Sequence, residues 1–233
     1  MSLNRQALES KLLQRLLAHP ELDFRIWSEA ELLQSIRTTL PQRSNPELWI
    51  FAYGSLIWNP LFDYCDRRLV TLSDWQRQFC ILAPIGRGTV DNPGLVLGLE
   101  KSQGSYCQGI AYRLPVDAVL ESELLLLWQR EMVVGAYIPT WIKSQIYIGD
   151  QSSGQELEVL AFMANPQHSV YVNWSTAKIV ESLATAAGDF GSAAAYLNST
   201  VEGLSEAGIE DQALIELAQL VKNRQKQITL PDN

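Results

Sequence analysis

The amino-acid sequence predicts an α+β fold, because most of its strand patterns come early along the chain and most of its helix patterns come late. Apolar runs rich in β-branched and aromatic residues, separated by turn residues, indicate strands. The strands expected before residue 115 are Leu48–Tyr53, Arg67–Leu72, Trp75–Leu82, Leu95–Glu100 and Cys107–Leu114. A doubly wound parallel sheet would instead alternate strands with helices.

The rest of the chain continues this grouped order. Leucine spacing predicts a helix over Val116–Arg130, and apolar runs predict strands over Pro139–Ile148 and Leu157–Met163. Three helices are expected near Ser175–Ala187, Ser192–Leu204 and Asp211–Lys226. Each of these helices opens near a residue that can cap it. The helices grouped at the end of the chain complete the α+β pattern.

The start of the chain predicts helices of its own. Leucines recur at helical spacing over 8–17, until Pro20 ends the pattern. A second helix is expected to begin at Ser28, where Glu31 three residues later completes a capping box. It ends before Pro41, because proline cannot continue a helix.

A polar linker over 41–46 then divides the chain into an N-terminal helical extension at 1–46 and a main domain at 47–233. Two amphipathic helices cannot form a core by themselves. We therefore expect the extension to pack on the main domain or on a second subunit, which would give a homodimer through the N-terminal helices.

Composition and charge argue against several classes of protein. The formal net charge is −8 and the basic residues are scattered, which argues against a nucleic-acid partner. No stretch resembles a signal peptide, and no apolar run approaches the roughly 18 residues of a membrane span. Cys65, Cys80 and Cys107 form no Cys-x-x-Cys pair, so neither a disulfide framework nor a zinc site is indicated. These features predict a cytoplasmic protein.

The segment from Trp49 to Trp58 carries the most information about function. It begins as an apolar strand and breaks at Gly54-Ser55, where glycine permits unusual backbone angles. Backbone N–H groups left unpaired at such a break can form a cradle for a carboxylate or an oxyanion. The segment by itself is equally compatible with a core strand that ends in an ordinary turn.

Histidine is too scarce for several common catalytic sites. The chain has two, His19 and His168, and no Gly-x-Ser-x-Gly motif accompanies them, so a serine or cysteine triad is not indicated. Metal sites built on several histidines are equally hard to assemble. Gly86-Arg-Gly88 lacks the third glycine of a dinucleotide-binding fingerprint. Acid–base chemistry in this chain is therefore left to a carboxylate.

Glu131 is the best candidate for that carboxylate. It closes a leucine-rich helix and lies among Trp128, Met132 and Val133, where it would be poorly hydrated. Poor hydration raises the pKa of a carboxyl towards the range in which a general base works at neutral pH. The alternative is that Glu131 forms a surface ion pair with a neighbouring arginine, either Arg130 or Arg113.

Four segments, taken in order, resemble the γ-glutamylcyclotransferases, most closely their ChaC-like branch. Tyr53–Trp58 resembles the family's substrate-binding signature, and Gln108–Leu114 resembles its strand before an acidic helix. Trp128–Glu131, followed by Gly135-Ala-Tyr137, resembles the segment with the catalytic glutamate. Gly191–Leu197 resembles the C-terminal segment that brings a tyrosine to the pocket. The resemblance covers roughly residues 47 to 225.

The resemblance implies a mixed sheet or small barrel with flanking helices, and release of 5-oxoproline from glutathione with cysteinylglycine as the other product. It implies that Glu131 is catalytic and that no metal or other cofactor is needed. The substrate-binding residues that it implies are Tyr53, Gly54, Ser55, Leu56, Ile57, Trp58, Tyr137 and Tyr196. Arg87, in a glycine-flanked loop, could meet a substrate carboxylate or simply face solvent.

Two departures from the family pattern leave alternatives open. Ala52 replaces the glycine common before the Tyr-Gly-Ser-Leu turn, and the segment between Glu131 and Tyr137 is longer than in compact members. The substrate could therefore be another γ-glutamyl amine or dipeptide. A hydrolase assisted by a second carboxylate or a tyrosine is a weaker enzymatic alternative. The last alternative is a regulatory module that binds a γ-glutamyl metabolite without turning it over.

Overall fold

The structure, a computed structural model, describes residues 3–22, 24–117, 119–148 and 151–229. Within these residues, five long strands form a closed barrel in the order β1-β3-β2-β4-β5. The strands are β1 Leu48–Ala52, β2 Asp66–Ala83, β3 Gly94–Leu114, β4 Tyr137–Ile148 and β5 Gln151–Ala164. Most neighbours are antiparallel, and a parallel bridge between Ile50 and Leu160 closes the barrel.

Helices surround this barrel: three precede it in the sequence, two lie between its strands, and three follow it. They are α1 Arg5–Glu9, α2 Leu12–Leu17, α3 Glu29–Thr39, α4 Ser55–Trp58, α5 Leu120–Glu131, α6 Thr176–Thr185, α7 Ala193–Glu206 and α8 Gln212–Thr229. A short hairpin lies between α6 and α7. Its two strands, β6 Ala187–Gly188 and β7 Gly191–Ser192, have two residues each. The predicted α+β class is confirmed. None of the helices in the described residues is long and apolar enough to cross a membrane.

Strands β2 and β3 are longer than the sequence predicts. Each joins two expected strands into one, so the predicted breaks near residue 74 and over 101–106 are wrong. The polar interruption in β2 is a bulge, with Asp74 in the left-handed region at φ 64°. The Asp74 carboxylate accepts a hydrogen bond of 2.7 Å from the backbone N–H of Gly104 on β3. This bond keeps the two strands paired past the irregularity.

The N-terminal extension differs from the prediction in its first helix and just after its second, where a short 3₁₀ helix, Leu40–Gln42, continues through Pro41. The expected helix over 8–17 is two short helices, because Lys11 adopts a left-handed conformation at φ 55° that interrupts helical hydrogen bonding. The second helix, α3, has the predicted capping box. The Ser28 hydroxyl accepts from the Glu31 backbone N–H, and the Glu31 carboxylate accepts from the Ser28 backbone N–H at 2.8 Å.

The extension packs on α5 of the main domain, which is one of the two placements that the sequence allows. The Arg5 guanidinium donates to the Glu123 carboxylate on α5 at 2.9 Å. The indole N–H of Trp128, also on α5, donates to the Ser35 hydroxyl on α3 at 3.0 Å. On its other side Trp128 contacts Phe162 of the barrel edge-to-face, with ring centroids 5.1 Å apart. Helix α5 is therefore fixed between the extension and the barrel.

We predict that Ser28→Ala destabilises the protein by about 1 kcal/mol, because it removes the cap from the first turn of α3. Thr38→Ala, which removes an exposed hydroxyl farther along α3, should cost less. Thermal unfolding of the two variants beside the native chain measures the difference. Equal melting temperatures for the two variants would show that the capping box adds nothing.

Candidate active site

The turn between β1 and α4 meets the C-terminal end of α5, and Arg130 joins the two. Its guanidinium donates to the Ser55 hydroxyl at 2.8 Å and to the backbone carbonyl of Asn59. The same guanidinium lies 3.1 Å from the Glu131 carboxylate. One buried arginine thus ties the glutamate at the end of a helix to the glycine turn at the end of a strand.

Glu131 occupies a dry position. Its side chain is 14% exposed and that of Arg130 is 5% exposed, so the ion pair between them is buried. Burial raises the pKa of the Glu131 carboxyl, and the positive charge of Arg130 partly opposes the shift. The expected pairing with Arg130 is present, but it lies in the site instead of on the surface. Arg113, the other arginine considered, pairs with Glu47 at 3.3 Å.

Three tyrosines line a narrow cavity together with Glu131. The Tyr53 hydroxyl donates to the carbonyl of Phe162 at 2.6 Å, and the Tyr137 hydroxyl donates to the carbonyl of Leu97 at 2.8 Å. Burial raises the pKa of both hydroxyls, and the nearby Glu131 carboxylate raises it further. Both tyrosines therefore stay neutral and have their protons committed to backbone carbonyls.

Tyr196 differs from the other two tyrosines, because no hydrogen bond to a backbone carbonyl is seen for its hydroxyl among the described residues. Its hydroxyl oxygen accepts a hydrogen bond of 3.4 Å from the Leu97 backbone N–H and also interacts with the Ser55 side chain. Burial raises the pKa of Tyr196, so the hydroxyl keeps its proton at neutral pH. A neutral hydroxyl in this position can donate to an oxygen in the cavity.

The turn at Gly54 lies directly against Tyr196. A Cβ atom added at Gly54 would sit 3.1 Å from the Tyr196 hydroxyl oxygen and 3.6 Å from the Leu97 side chain. Helix α4 begins at Ser55, and the first N–H groups of a helix have no acceptor within it. This arrangement fits the predicted backbone cradle, with glycine providing the space for close approach.

The structure brings together most of the residues singled out from the sequence. The narrow cavity is lined by Tyr53, Gly54, Ser55, Leu56, Leu97, Glu131, Tyr137, Phe162 and Tyr196. Trp58 lies beside it, with its indole N–H donating to the Thr200 hydroxyl at 3.2 Å. Ile57 is buried in the core on the α7 side, near Gly203, and lines neither this cavity nor the larger one next to it.

A second cavity of about 280 Å³ adjoins the first and shares Ser55, Glu131, Tyr137 and Tyr196 with it. Most of its wall is apolar. Part of that wall comes from the N-terminal extension, through Leu3, Leu13, Leu17 and Phe24. This role cannot be predicted from the sequence, because leucines at helical spacing are equally typical of a core-packing face. For Arg130 the only sequence signal is its adjacency to Glu131, which suggests a surface ion pair as the alternative to a catalytic role for Glu131.

No metal site accompanies these residues in the part of the chain that the structure describes. No group of three or more His, Cys, Asp and Glu side chains there is arranged to hold an ion. Cys80 and Cys107 are buried free cysteines, and Cys65 is exposed. The chemistry available at the site is that of one buried carboxylate, neutral hydroxyls and backbone N–H groups.

Comparison with known proteins identifies the family. The family model for ChaC-like protein matches residues 48–224. The chain therefore belongs to the ChaC-like family, as the sequence motifs predicted. It is 38% identical over 199 residues to a glutathione-specific γ-glutamylcyclotransferase of Escherichia coli K12, with 84% of this chain and 83% of that protein covered.

A second relative and a solved structure are also similar to the chain. The chain is 30% identical over 189 residues to γ-glutamylcyclotransferase 2-1 of Arabidopsis thaliana, covering 79% of this chain and 85% of that protein. Among solved structures, a yeast γ-glutamylcyclotransferase specific to glutathione matches with a TM-score of 0.68 at 19% identity. That match covers 78% of this chain and 97% of the yeast chain, and it confirms the expected fold.

We predict that Glu131→Gln lowers 5-oxoproline formation on the order of 100-fold or more. Glutamine keeps the shape of the side chain but cannot take up a proton. The matched control is Glu121→Gln, which changes an exposed glutamate on the same helix and should leave kcat/KM unchanged. Native turnover in a folded Glu131→Gln variant would remove Glu131 from the mechanism.

The pH dependence of kcat/KM should report the pKa of the buried Glu131 carboxyl. Only ionised Glu131 can accept a proton, so activity falls as the pH drops through its pKa. Because burial raises that pKa above the ordinary value of 4.5, the acid limb should lie above pH 4.5. A pH–rate profile measures the limb. An acid limb at or below pH 4.5 would contradict the assignment of the base.

Gly54→Val should damage activity more than Ser55→Ala. The valine side chain would push Tyr196 away or fill the cradle, since even a Cβ atom there lies 3.1 Å from the hydroxyl. Ser55→Ala removes one acceptor of Arg130 and leaves the N–H groups in place, at about 1.5–3 kcal/mol for the lost hydrogen bond to a charged group. Values of kcat/KM for the two folded variants give the comparison. An inactive Ser55→Ala beside a nearly native Gly54→Val would point to a nucleophilic serine instead.

Proposed function

We propose that this protein is a γ-glutamylcyclotransferase that cleaves glutathione to 5-oxoproline and cysteinylglycine. The observation that carries the proposal is the position of Glu131, a buried carboxylate that faces the glycine turn and is shared by two adjoining cavities. The names of the Escherichia coli and Arabidopsis relatives support the reaction, and the name of the former supports the substrate.

The reaction needs one group that can both take up and release a proton. Ionised Glu131 removes a proton from the α-ammonium group of the substrate, and the freed amine attacks the δ-carbonyl of the same γ-glutamyl unit. A new C–N bond closes the five-membered lactam, and the bond to the leaving amine breaks. Glu131 returns this proton to the leaving nitrogen as the amide bond breaks. The attacking nitrogen loses a second proton when it becomes the lactam N–H, and that proton passes through Glu131 to the released amine, which leaves as an ammonium group, so that the enzyme ends as it began. No water is consumed.

The developing oxyanion needs donors in a dry site. The backbone N–H groups of Ser55 and Leu56, at the start of α4, and the Tyr196 hydroxyl are donors close to Gly54, whereas the Ile57 N–H already donates to the Gly54 carbonyl. The hydroxyls of Tyr53 and Tyr137, both engaged with backbone carbonyls, give the cavity a fixed shape. A fixed cavity that holds the γ-glutamyl chain folded supplies the orientation that cyclisation requires.

Two alternatives are less well supported. A module that only binds γ-glutamyl metabolites would gain nothing from a carboxylate whose pKa is raised by burial, because burying a charge costs stability. A cyclotransferase for another γ-glutamyl amine or dipeptide would use the same Glu131. The two substrate classes would differ only in the leaving group that occupies the larger cavity. The name of the Escherichia coli relative favours glutathione.

The cellular location and the partners of the protein are also proposals. We infer a cytoplasmic protein that binds no nucleic acid, on the basis of the net charge of −8 and the free cysteines. A homodimer through the N-terminal helices stays a prediction. The contacts of Arg5 and Ser35 with α5 show that the extension also packs on its own main domain.

Incubation with glutathione and a panel of γ-glutamyl dipeptides, followed by mass spectrometry, tests the function. We expect 5-oxoproline and cysteinylglycine in equal amounts from glutathione, with slower or no release from the other compounds. Free glutamate as the product would indicate a hydrolase. Binding of the compounds without any product would indicate the regulatory module.

We also predict that activity survives EDTA and needs no added cofactor. The proton transfers assigned to Glu131 and the donors around Gly54 account for the reaction without a metal ion. Assays before and after dialysis against EDTA measure this. An absolute requirement for a divalent ion would point to a metallohydrolase.

A further inference from the structure

Arg87 is a half-buried cation with few partners. It follows β2, and its guanidinium carbon lies 5.5 Å from the centre of the Tyr196 ring and 5.9 Å from that of Trp58. Within the described residues, its side chain donates one hydrogen bond, to the backbone carbonyl of Ser192, and this bond is long at 3.5 Å. Desolvation lowers the pKa of Arg87, and Tyr196 and Arg130 of the site are among the groups whose charge acts on it. Among the ion pairs of the described residues, none includes Arg87.

Arg87 lies outside the narrow cavity that contains the Gly54 turn. It lines the larger cavity but not the narrow one, whereas Glu131 and Tyr196 line both. If the γ-glutamyl unit occupies the narrow cavity, its scissile amide lies at Glu131, and the leaving amine extends into the larger cavity. Arg87 therefore faces the leaving amine.

The surroundings of Arg87 suit a carboxylate. The apolar walls of the larger cavity, including Leu13 and Leu17 of the extension, limit the water that could compete for its charge. The rings of Trp58 and Tyr196 hold the guanidinium in place by cation–π attraction. An arginine held this way offers paired N–H donors that match the two oxygens of a carboxylate.

We propose that Arg87 binds a free carboxylate on the leaving amine, and thereby selects γ-glutamyl substrates whose leaving group ends in a carboxylate. For glutathione this is the carboxylate of the glycyl unit. The inference rests on the proposed function and adds the residue that determines leaving-group specificity. Arg87 takes no part in proton transfer, so its effect falls on substrate binding.

Glutathione and its glycyl monoethyl ester, which lacks the charge, form the matched pair of substrates. With the native protein, kcat/KM for glutathione should exceed that for the ester on the order of 10- to 100-fold, the range of a hydrogen bond to a charged group. Arg87→Met should lower kcat/KM for glutathione by a similar factor, mainly through KM. The variant should have little further effect on the ester.

Three comparisons complete the test. Arg67→Met, at an exposed arginine on the barrel, should leave both substrates unaffected. Arg87→Lys should recover part of the preference for the free acid, since it keeps the charge but loses the paired donors. Thermal unfolding checks that the variants are folded.

The assignment is overturned if the native protein treats the two substrates alike, or if Arg87→Met lowers the rates for both by the same factor. Release of 5-oxoproline from both substrates in these cases would leave the proposed function standing. Absence of 5-oxoproline from both substrates with the native protein would overturn the proposed function, and this assignment with it.

Discussion

The buried ion pair of Arg130 and Glu131 is the interaction on which the site depends. The guanidinium of Arg130 has three different partners: the Glu131 carboxylate, the Ser55 hydroxyl and the carbonyl of Asn59. Two elements distant in the sequence, α5 and the β1–α4 turn, are thereby held at one fixed separation. Removing either member of such a pair leaves an uncompensated buried charge, which is strongly destabilising. The position of the base and the position of the cradle are therefore set together.

The same pair sets the proton affinity of the base. Burial raises the pKa of Glu131, and so does its place at the negative C-terminal end of α5. Arg130 opposes the rise, because its positive charge favours the ionised form that accepts a proton. A buried carboxylate with no such partner would be harder to ionise, and one exposed to water would be a weaker base. The site combines a raised pKa with a charge partner that limits the rise.

The sequence predicts well what depends on local chemistry. The capping box at Ser28 is present, because it requires only two residues three positions apart. The break after β1 at Gly54 and the low hydration of Glu131 are likewise readable from neighbouring residues. The positions of most strands and helices, and hence the α+β class, follow from apolar periodicity. The family motifs then supplied the roles that periodicity cannot give.

What the sequence does not predict depends on distant contacts or on backbone strain. Asp74 reads as a turn residue, yet its bond to Gly104 keeps β2 and β3 paired as long strands. Lys11 carries no sign that it adopts a left-handed conformation and splits the first helix. Leu13 and Leu17 read as core positions, and only the fold shows that they border the larger cavity.

The central claim is that the substrate's own amine, and not water, attacks the γ-amide carbonyl at Glu131. Turnover of glutathione in water enriched in ¹⁸O, followed by mass spectrometry of the products, tests it most directly. Cyclisation predicts 5-oxoproline and cysteinylglycine that carry no ¹⁸O from the reaction. Glutamate with one ¹⁸O atom in its side-chain carboxylate would show that water is the nucleophile and would contradict the account.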